Sequence, residues 1–308
     1  MSKRKLPTLN SSPTIGIIAP ASPENREYID KKIKTFTNLG FNIKKGRYIY
    51  DNIGYLAGKD KDRAEDLNLM FKDKTVNAIV CLRGGYGSIR MAPYIDLELI
   101  KKNPKPFFGY SDVTLLLNYI SNKCKFPTFH APMITSNFND YPTKEYFLNI
   151  IKNTSKKLIY NLKEISNNSF SIWNKNNFSG DIVGGNLSII CSTIGTPYEI
   201  NFKNNILLVE DVNENLYSVD RMLSQLISCG KLQQLSAILV GYFTNYNKEN
   251  YLINIRNIFK EKLEFLNIPI IYGINIGHEH PNISIPIGCK FFYDSKYNLL
   301  IQKEIIFE

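Results

Sequence analysis

Short apolar runs alternate with helix-period segments through the first 130 positions, and no other feature of the chain restricts its fold as much. Runs at Thr14–Pro20 and Val76–Leu82, one ending at Gly109, and one near Phe126–Phe129 ending at His130, together with the more polar Phe41–Tyr48, read as five strands. Between them lie amphipathic stretches over 24–39, 60–71, 89–101 and from Val113 onward; the first stops at Gly40, a good helix terminator. Strands and helices in strict alternation predict a parallel, doubly wound α/β sheet. Val76–Leu82 is apolar almost throughout, as a parallel strand covered on both faces must be. Functional groups on such sheets gather at the carboxyl ends of the strands. Two candidate motifs fall there, Arg83-Gly84-Gly85-Tyr86-Gly87 and Gly109-Tyr110-Ser111-Asp112.

In the second motif an apolar run ends at Gly109 and a helix-spaced stretch (Val113, Leu116, Leu117, Ile120) begins almost at once. A strand that turns directly into a helix projects a serine hydroxyl from the turn, beside N–H groups that favour developing negative charge. Taken alone, the stretch favours the plainer reading, in which Ser111 or Asp112 caps the helix. The glycine turn at 84–87 offers backbone N–H groups at a helix start, suited to a phosphate or to an oxyanion. Its spacing is neither G-x-G-x-x-G nor a P-loop, and a tight turn needing positive φ is the plain alternative.

From about 137 to 176 the pattern loosens into Asn, Lys, Ser and Tyr, with one helix near Lys144–Lys152. The expected organisation is therefore an N-terminal domain over 1–136, a linker over 137–176 and a second domain over 177–308. The second domain reads as mixed α+β and strand-rich. Gly184-Gly185-Asn186 leads into a helix from Leu187; Ile206–Val209 is a strand carrying Glu210 and Asp211 at its end. Val219–Leu226 and Leu252–Leu263 are helical, Ser236–Tyr242 and Ile268–Ile274 are strands, and three further strands close the chain at 283–287, 291–293 and 299–307.

Composition narrows the function. No stretch approaches the roughly 18 apolar residues of a membrane span, and the basic N-terminus is not followed by a signal-type apolar core, which points to a cytoplasmic protein. The five cysteines (Cys81, Cys124, Cys191, Cys229, Cys289) are odd in number and widely spaced, unlike a disulfide framework or zinc site. The net charge of +10 comes from lysines scattered among Asn and Ile, with no basic helical stripe, so nucleic acid is not indicated as a partner.

A nucleophilic serine needs a general base, and the histidines are three: His130, His278 and His280. His278 follows a strand and a glycine on an ordered loop, while His130 ends a strand and is the rival. His278-x-His280 as a metal chelate lacks carboxylates at any familiar ligand spacing, so no metal or cofactor is implied. A histidine base needs an anion to fix its tautomer. Glu210, ending an apolar strand, is the first candidate, with Asp211 and Asp112 as rivals.

Taken together, the blocks Ile17-Ile18-Ala19-Pro20-Ala21-Ser22-Pro23, Arg83–Gly87, Gly109–Asp112, Gly184–Leu187, Val209-Glu210-Asp211 with Tyr217 and Asp220-Arg221, and Gly277-His278 through Pro281-Asn282 resemble the LD-carboxypeptidase family of serine peptidases. That family also contains the microcin-immunity proteins. The resemblance runs over nearly the whole chain. It implies an N-terminal domain similar to the glutamine-amidotransferase type of α/β fold, and a Ser111–His278–Glu210 triad divided between two domains. It also implies an oxyanion hole from backbone N–H groups near Gly84, Gly85 and Asp112, homodimers, and no metal. The implied reaction removes the terminal D-alanine of murein tetrapeptides during cytoplasmic peptidoglycan recycling. Gly109-x-Ser111-x-Val113 departs from the G-x-S-x-G of α/β-hydrolases, in keeping with this family, and His130-Ala131-Pro132 has alanine where the family pattern has glycine. Two other readings stand beside it: cleavage of a peptidyl-nucleotide antibiotic by the same chemistry, and a non-catalytic peptide or phosphate binder using the Gly84 loop.

Overall fold

A computed structural model of the chain describes residues 3–9, 11–152, 157–244 and 254–308. In chain order the first elements are β1 (Thr14–Ile18), α1 (Arg26–Asn38), β2 (Asn42–Lys45), α2 (Asp60–Lys72), β3 (Ala78–Cys81), α3 (Ser88–Met91) and α4 (Leu97–Lys102). There follow β4 (Phe107–Gly109), α5 (Thr114–Cys124), β5 (Thr128–His130), α6 (Tyr141–Ile151), β6 (Ile159–Asn161), β7 (Ser171–Trp173), β8 (Phe178–Asn186) and α7 (Leu187–Thr193). The chain continues through β9 (Ile206–Val212), α8 (Leu216–Ser228), β10 (Ala237–Thr244), α9 (Ile255–Leu263) and β11 (Ile270–Tyr272), then β12 (Ile285–Ile287), β13 (Lys290–Asp294) and β14 (Leu299–Gln302). The first residues of the helix expected from Leu252 lie outside the described residues, as do positions 153–156 of the expected linker.

Two compact units result. Unit 1 comprises 1–156 together with 284–288 and 305–308; unit 2 comprises 157–283 and 289–304. Unit 1 is built on a sheet of order β12-β5-β4-β3-β1-β2. Five of its strands are parallel, as the alternation predicts, and β12 pairs antiparallel with β5, Ile285 opposite His130. The helices follow from local chemistry. Asn25 caps α1 by accepting from the Glu27 and Tyr28 N–H groups, and Ile29, Ile33 and Phe36 face the core at helical spacing. The helix expected over 89–101 is instead broken into α3, a 3-10 turn at Ala92–Tyr94 and α4. Pro93 has no N–H to continue a helix, and Asp96 restarts one by accepting from Leu99 N at 2.9 Å.

The stretch 137–176 carries more structure than a connector. Phe138 and Phe147, the latter on α6, pack edge-on against Phe36 and against each other at 5.0–5.8 Å, and Phe147 lies 5.3 Å from Phe108. Burying these rings offsets the cost of ordering the segment, which its polar composition conceals.

Unit 2 holds a sheet of order β6-β14-β13-β8-β9-β10-β11-β7. Its centre, β8 to β11, is parallel; β13, β14, β6 and β7 are antiparallel to their neighbours. The core includes Leu207 and Val209 from β9, Leu223 and Leu226 from α8, and Phe259 from α9. The strand β8 is absent from the sequence reading because it carries Gly180, Gly184 and Gly185, a residue type depleted in strands. Neighbouring backbone requires glycine there: a Cβ at Gly184 would meet the Leu208 carbonyl at 2.3 Å, and one at Gly180 the Asn204 carbonyl at 2.7 Å. Among the described residues no helix is long and apolar enough to cross a membrane.

Candidate functional site

In unit 1 the polypeptide leaves β4 at Gly109, passes through an extended Tyr110, and at Ser111 takes φ +63° before the 3-10 turn Ser111–Val113 opens α5. A non-glycine residue in the left-handed region costs on the order of 1–3 kcal/mol and persists where the surroundings impose it. Here they do. A Cβ on Gly109 would lie 2.6 Å from Val113 Cγ1, so the helix folds back directly over the strand end, and glycine is needed below it. Val113 fills the space that the second glycine of a G-x-S-x-G turn leaves open, which is the physical content of this motif's departure.

The other glycine loop passes over the serine. A Cβ on Gly84 would fall 2.8 Å from Ser111 Cβ, 2.9 Å from Ser111 Oγ and 3.5 Å from Asp112 N. Gly85 has φ +116°, and a side chain there would strike Ser22 Oγ. Ser22, which the sequence reading passed over as part of a small-residue turn, holds this loop at both ends. Its N–H donates to the Gly84 carbonyl (3.3 Å) and its Oγ accepts from Tyr86 N (3.1 Å). The Gly85 N–H lies between those two anchors, and the Asp112 N–H is in the first turn after Ser111.

The Asp112 side chain is committed elsewhere: its Oδ2 accepts from Ser88 N at 2.8 Å, tying the start of α3 to the serine turn. Burial pushes its carboxyl up, against the hydrogen bonds from Ser88 and the nearby charge of Arg63. Arg63 is fully buried and escaped the sequence reading, because a charge on an amphipathic helix three residues after Asp60 reads as solvated. It donates to the Pro20 carbonyl, to the Gly87 carbonyl (3.0 Å) and to Asp60, joining the β1 loop to the glycine loop. Arg90 donates through Nε (3.1 Å) and a terminal nitrogen (3.0 Å) to Asp60, and Arg83 pairs with Glu24 at 2.9 Å. His130, the rival base, is fully buried between β4 and β12, its ring 5.8 Å from that of Tyr110.

In unit 2 the strand β9 runs on through Glu210 and Asp211, two residues read as its end. Glu210 is 0% exposed, and its Oε2 lies 2.6 Å from His278 Nδ1; the His278 side chain is 15% exposed. Burial pulls the imidazole pKa down, but the Glu210 charge and hydrogen bond, with a smaller contribution from Asp211, hold it above its ordinary 6.5. A neutral imidazole donating its Nδ1 proton to Glu210 keeps the Nε2 lone pair available. Two glycines admit the pair. A Cβ on Gly277 (φ +129°) would meet Glu210 Oε2 at 2.8 Å, and one on Gly241 would meet the Ile276 carbonyl at 2.3 Å and Glu210 Cβ at 3.3 Å. Gly241 lies where the β9–β10 register shifts, between Val240 and Phe243.

Geometry also separates Glu210 from Asp211. Asp211 accepts from Asn186 Nδ2 (2.8 Å) and Ser188 N (2.9 Å), while Asn186 caps α7 by accepting from Ile189 N (3.2 Å). Burial and the neighbouring Glu210 raise the Asp211 carboxyl to about 6. Asp211 thus holds a helix start, and Glu210 meets the histidine. His280 is exposed, and its carbonyl accepts from the Tyr242 hydroxyl at 3.4 Å.

The structure therefore gathers Ser111, Gly84, Gly85 and Asp112 in unit 1, and Glu210 and His278 in unit 2. Against known families, residues 15–131 match the LD-carboxypeptidase N-terminal domain and residues 179–291 the LD-carboxypeptidase C-terminal domain. The chain belongs to the LD-carboxypeptidase family. That membership makes it a hydrolase, a carboxypeptidase of the serine type. Among relatives of this family, a protein of Bacillus subtilis named "probable murein peptide carboxypeptidase" is 38% identical over 288 residues, spanning 92% of this chain and 89% of its own. The microcin C7 self-immunity protein of Escherichia coli is 25% identical over 310 residues, spanning 91% and 90%. The crystal structure of a muramoyltetrapeptide carboxypeptidase from Oxalobacter formigenes superposes with a TM-score of 0.82 at 25% identity, covering 94% of this chain and 99% of that one.

Proposed function

We propose that this LD-carboxypeptidase hydrolyses the bond that joins the terminal D-alanine of a murein tetrapeptide to the L-centre of its third residue. Ser111 is the nucleophile, His278 the general base and Glu210 the residue that orients and charges it. The backbone N–H groups of Gly85 and Asp112 receive the oxyanion. The observation that most supports this reading is the 2.6 Å contact of His278 Nδ1 with a carboxylate that has no exposure to solvent. A buried anion in that position fixes the imidazole tautomer and stabilises the imidazolium formed when Nε2 takes a proton.

In the acylation step the Ser111 hydroxyl attacks the amide carbonyl while its proton passes to His278, and the carbonyl oxygen becomes the oxyanion. The left-handed turn at Ser111 and the glycine loop above it supply fixed backbone donors, each worth on the order of 10²–10³ in rate. His278 then gives its proton to the departing D-alanine nitrogen. Water, deprotonated by the same imidazole, releases the acyl group.

Names borne by relatives support murein peptide as the substrate class. A homodimer acting in the cytoplasm on peptides recovered from the cell wall completes the proposal. The 25% identity to a microcin self-immunity protein across nine-tenths of the chain supports a second reading, in which the same residues cleave a peptidyl-nucleotide antibiotic.

The test is mass-spectrometric release of D-alanine from L-Ala-γ-D-Glu-diaminopimelate-D-Ala by the wild type, Ser111→Ala and His278→Ala. Release by the wild type alone, with both variants folded, upholds the function and both roles. A wild type inert on this peptide and on its lysine analogue removes the murein reading and brings the antibiotic forward.

A further inference from the structure

Beside the serine turn, unit 1 exposes two aromatic side chains to which no role has been given. Tyr86 (47% exposed) continues the glycine loop, and Tyr55 (62% exposed) tips a small hairpin in which Ile53 and Leu56 exchange backbone hydrogen bonds (2.8 and 3.2 Å). Their ring centroids are 5.8 Å apart, tilted at 56°. Both are fixed from below. Tyr86 N is held by Ser22 Oγ, the hairpin is tied through Ala57 N to the Ala21 carbonyl (2.9 Å), and Leu56 packs against Gly87. Large aromatic surface is normally buried on folding, and a rigidly supported exposed pair is suited to a ligand at small entropic cost.

We propose that Tyr55 and Tyr86 form the surface that grips the acyl side of the peptide substrate, the residues N-terminal to the bond that is cut. The inference rests on the peptidase reading and names a specificity determinant within it. Position decides the occupant. Gly84 abuts the Ser111 hydroxyl, and Tyr86 follows it by two residues, so at most about 7 Å of chain separates the residue beside the nucleophile from the platform. A carboxypeptidase that releases one amino acid has a leaving group extending only about 3.5 Å beyond that bond. Any surface that grips substrate further out therefore meets the longer acyl portion. The ring faces take up the glutamyl stem and flat amide groups of the segment beyond the third residue, L-Ala-γ-D-Glu.

The experiment compares steady-state kinetics on L-Ala-γ-D-Glu-diaminopimelate-D-Ala and on the dipeptide diaminopimelate-D-Ala. Tyr55→Ala and Tyr86→Ala should each raise KM for the tetrapeptide about tenfold, the effect of truncating one aromatic contact. Their kcat should stay within about twofold, the signature of lost binding that is uniform between ground and transition state. On the dipeptide, which lacks the L-Ala-γ-D-Glu segment, the same changes should have little effect. Phenylalanine at either position should restore most of the lost affinity, and Tyr297→Ala, on an exposed turn of unit 2, serves as the control. An unchanged tetrapeptide KM overturns the proposal, as does a fall in kcat at constant KM. Equal losses on both peptides, or losses that track dissociation of a dimer in light scattering, also overturn it; the last assigns the surface to a second copy of the chain. A wild type that turns over the tetrapeptide beside unaffected tyrosine variants removes the platform alone. A wild type that releases no D-alanine removes the peptidase reading, and the platform with it.

Discussion

The serine turn of unit 1 and the histidine–glutamate pair of unit 2 are held in place by different means. The first is a backbone construction: a left-handed Ser111, a glycine beneath it, and a glycine loop pinned above it by Ser22. The second is a side-chain construction, one hydrogen bond spanning 68 positions of sequence and set in a cavity that two glycines leave open. Backbone constructions present fixed dipoles and a strained hydroxyl, whereas the side-chain construction tunes a proton affinity. A change in either should therefore lower the rate, but only a change in the second should move its pH dependence.

The largest effect expected is for Ser111→Ala, a loss of about 10⁶ in kcat, with near-native thermal stability in calorimetry because the strained φ is retained by its surroundings. Glu210→Gln comes next, at about 10⁴ in kcat, since an amide favours the wrong tautomer. In the wild type the acid limb of kcat/KM should have its midpoint above 6.5, because the imidazolium must lose its Nε2 proton to act as base and the Glu210 charge at Nδ1 stabilises the imidazolium. In Glu210→Gln the midpoint should fall, as burial is then the leading influence. A limb that stays in place would show that another group sets it.

A matched pair of glycine substitutions sharpens the contrast at about 10² each, the cost of an ångström of misplacement. Gly84→Ala drives a methyl into Ser111 and should lower kcat with the acid limb unmoved. Gly277→Ala drives one into the Glu210 carboxylate and should lower kcat while shifting the limb downward. Identical pH profiles for the two variants would remove the distinction.

The smallest effect concerns Asp211. Its carboxyl, raised to about 6 by burial and by Glu210, binds its proton more tightly in the folded chain than in the unfolded one. The stability it contributes is present below its ordinary pKa and is lost as pH rises through about 6. Thermal melts at pH 4.5 and 7 should show the wild type losing stability relative to Asp211→Asn over that interval.

The same contrast explains what could be read from sequence. The five parallel strands of unit 1 follow from local alternation, and Gly109-Tyr110-Ser111-Asp112 is contiguous, so fold class and serine turn are both visible in a short window. No window contains both Glu210 and His278, and spacing alone left Asp211, Asp112 and His130 as rivals. Resemblance to a family ordered them, and the hydrogen bonds of Asp211 and Asp112 supplied the physical reason: each carboxylate is already holding a helix start. Phe138 and Phe147 lay hidden among polar neighbours, and β8 behind its glycines. In both places tertiary packing decides what local composition obscures.

The antiparallel strand β12 gives the molecule a timetable. Ile285–Ile287 completes the sheet of unit 1, yet it emerges from the ribosome only after almost all of unit 2 has been made. At roughly 5–20 residues per second, the edge of β5 waits about 10–30 s for its partner. Until then the backbone of Thr128-Phe129-His130 is an unpaired template beside a half-finished core, open to any other strand that reaches it. Synthesis order alone thus makes the first half of unit 1 dependent on a strand made after almost all of unit 2, and a nascent chain stalled before that strand is the form most exposed to aggregation and chaperone capture.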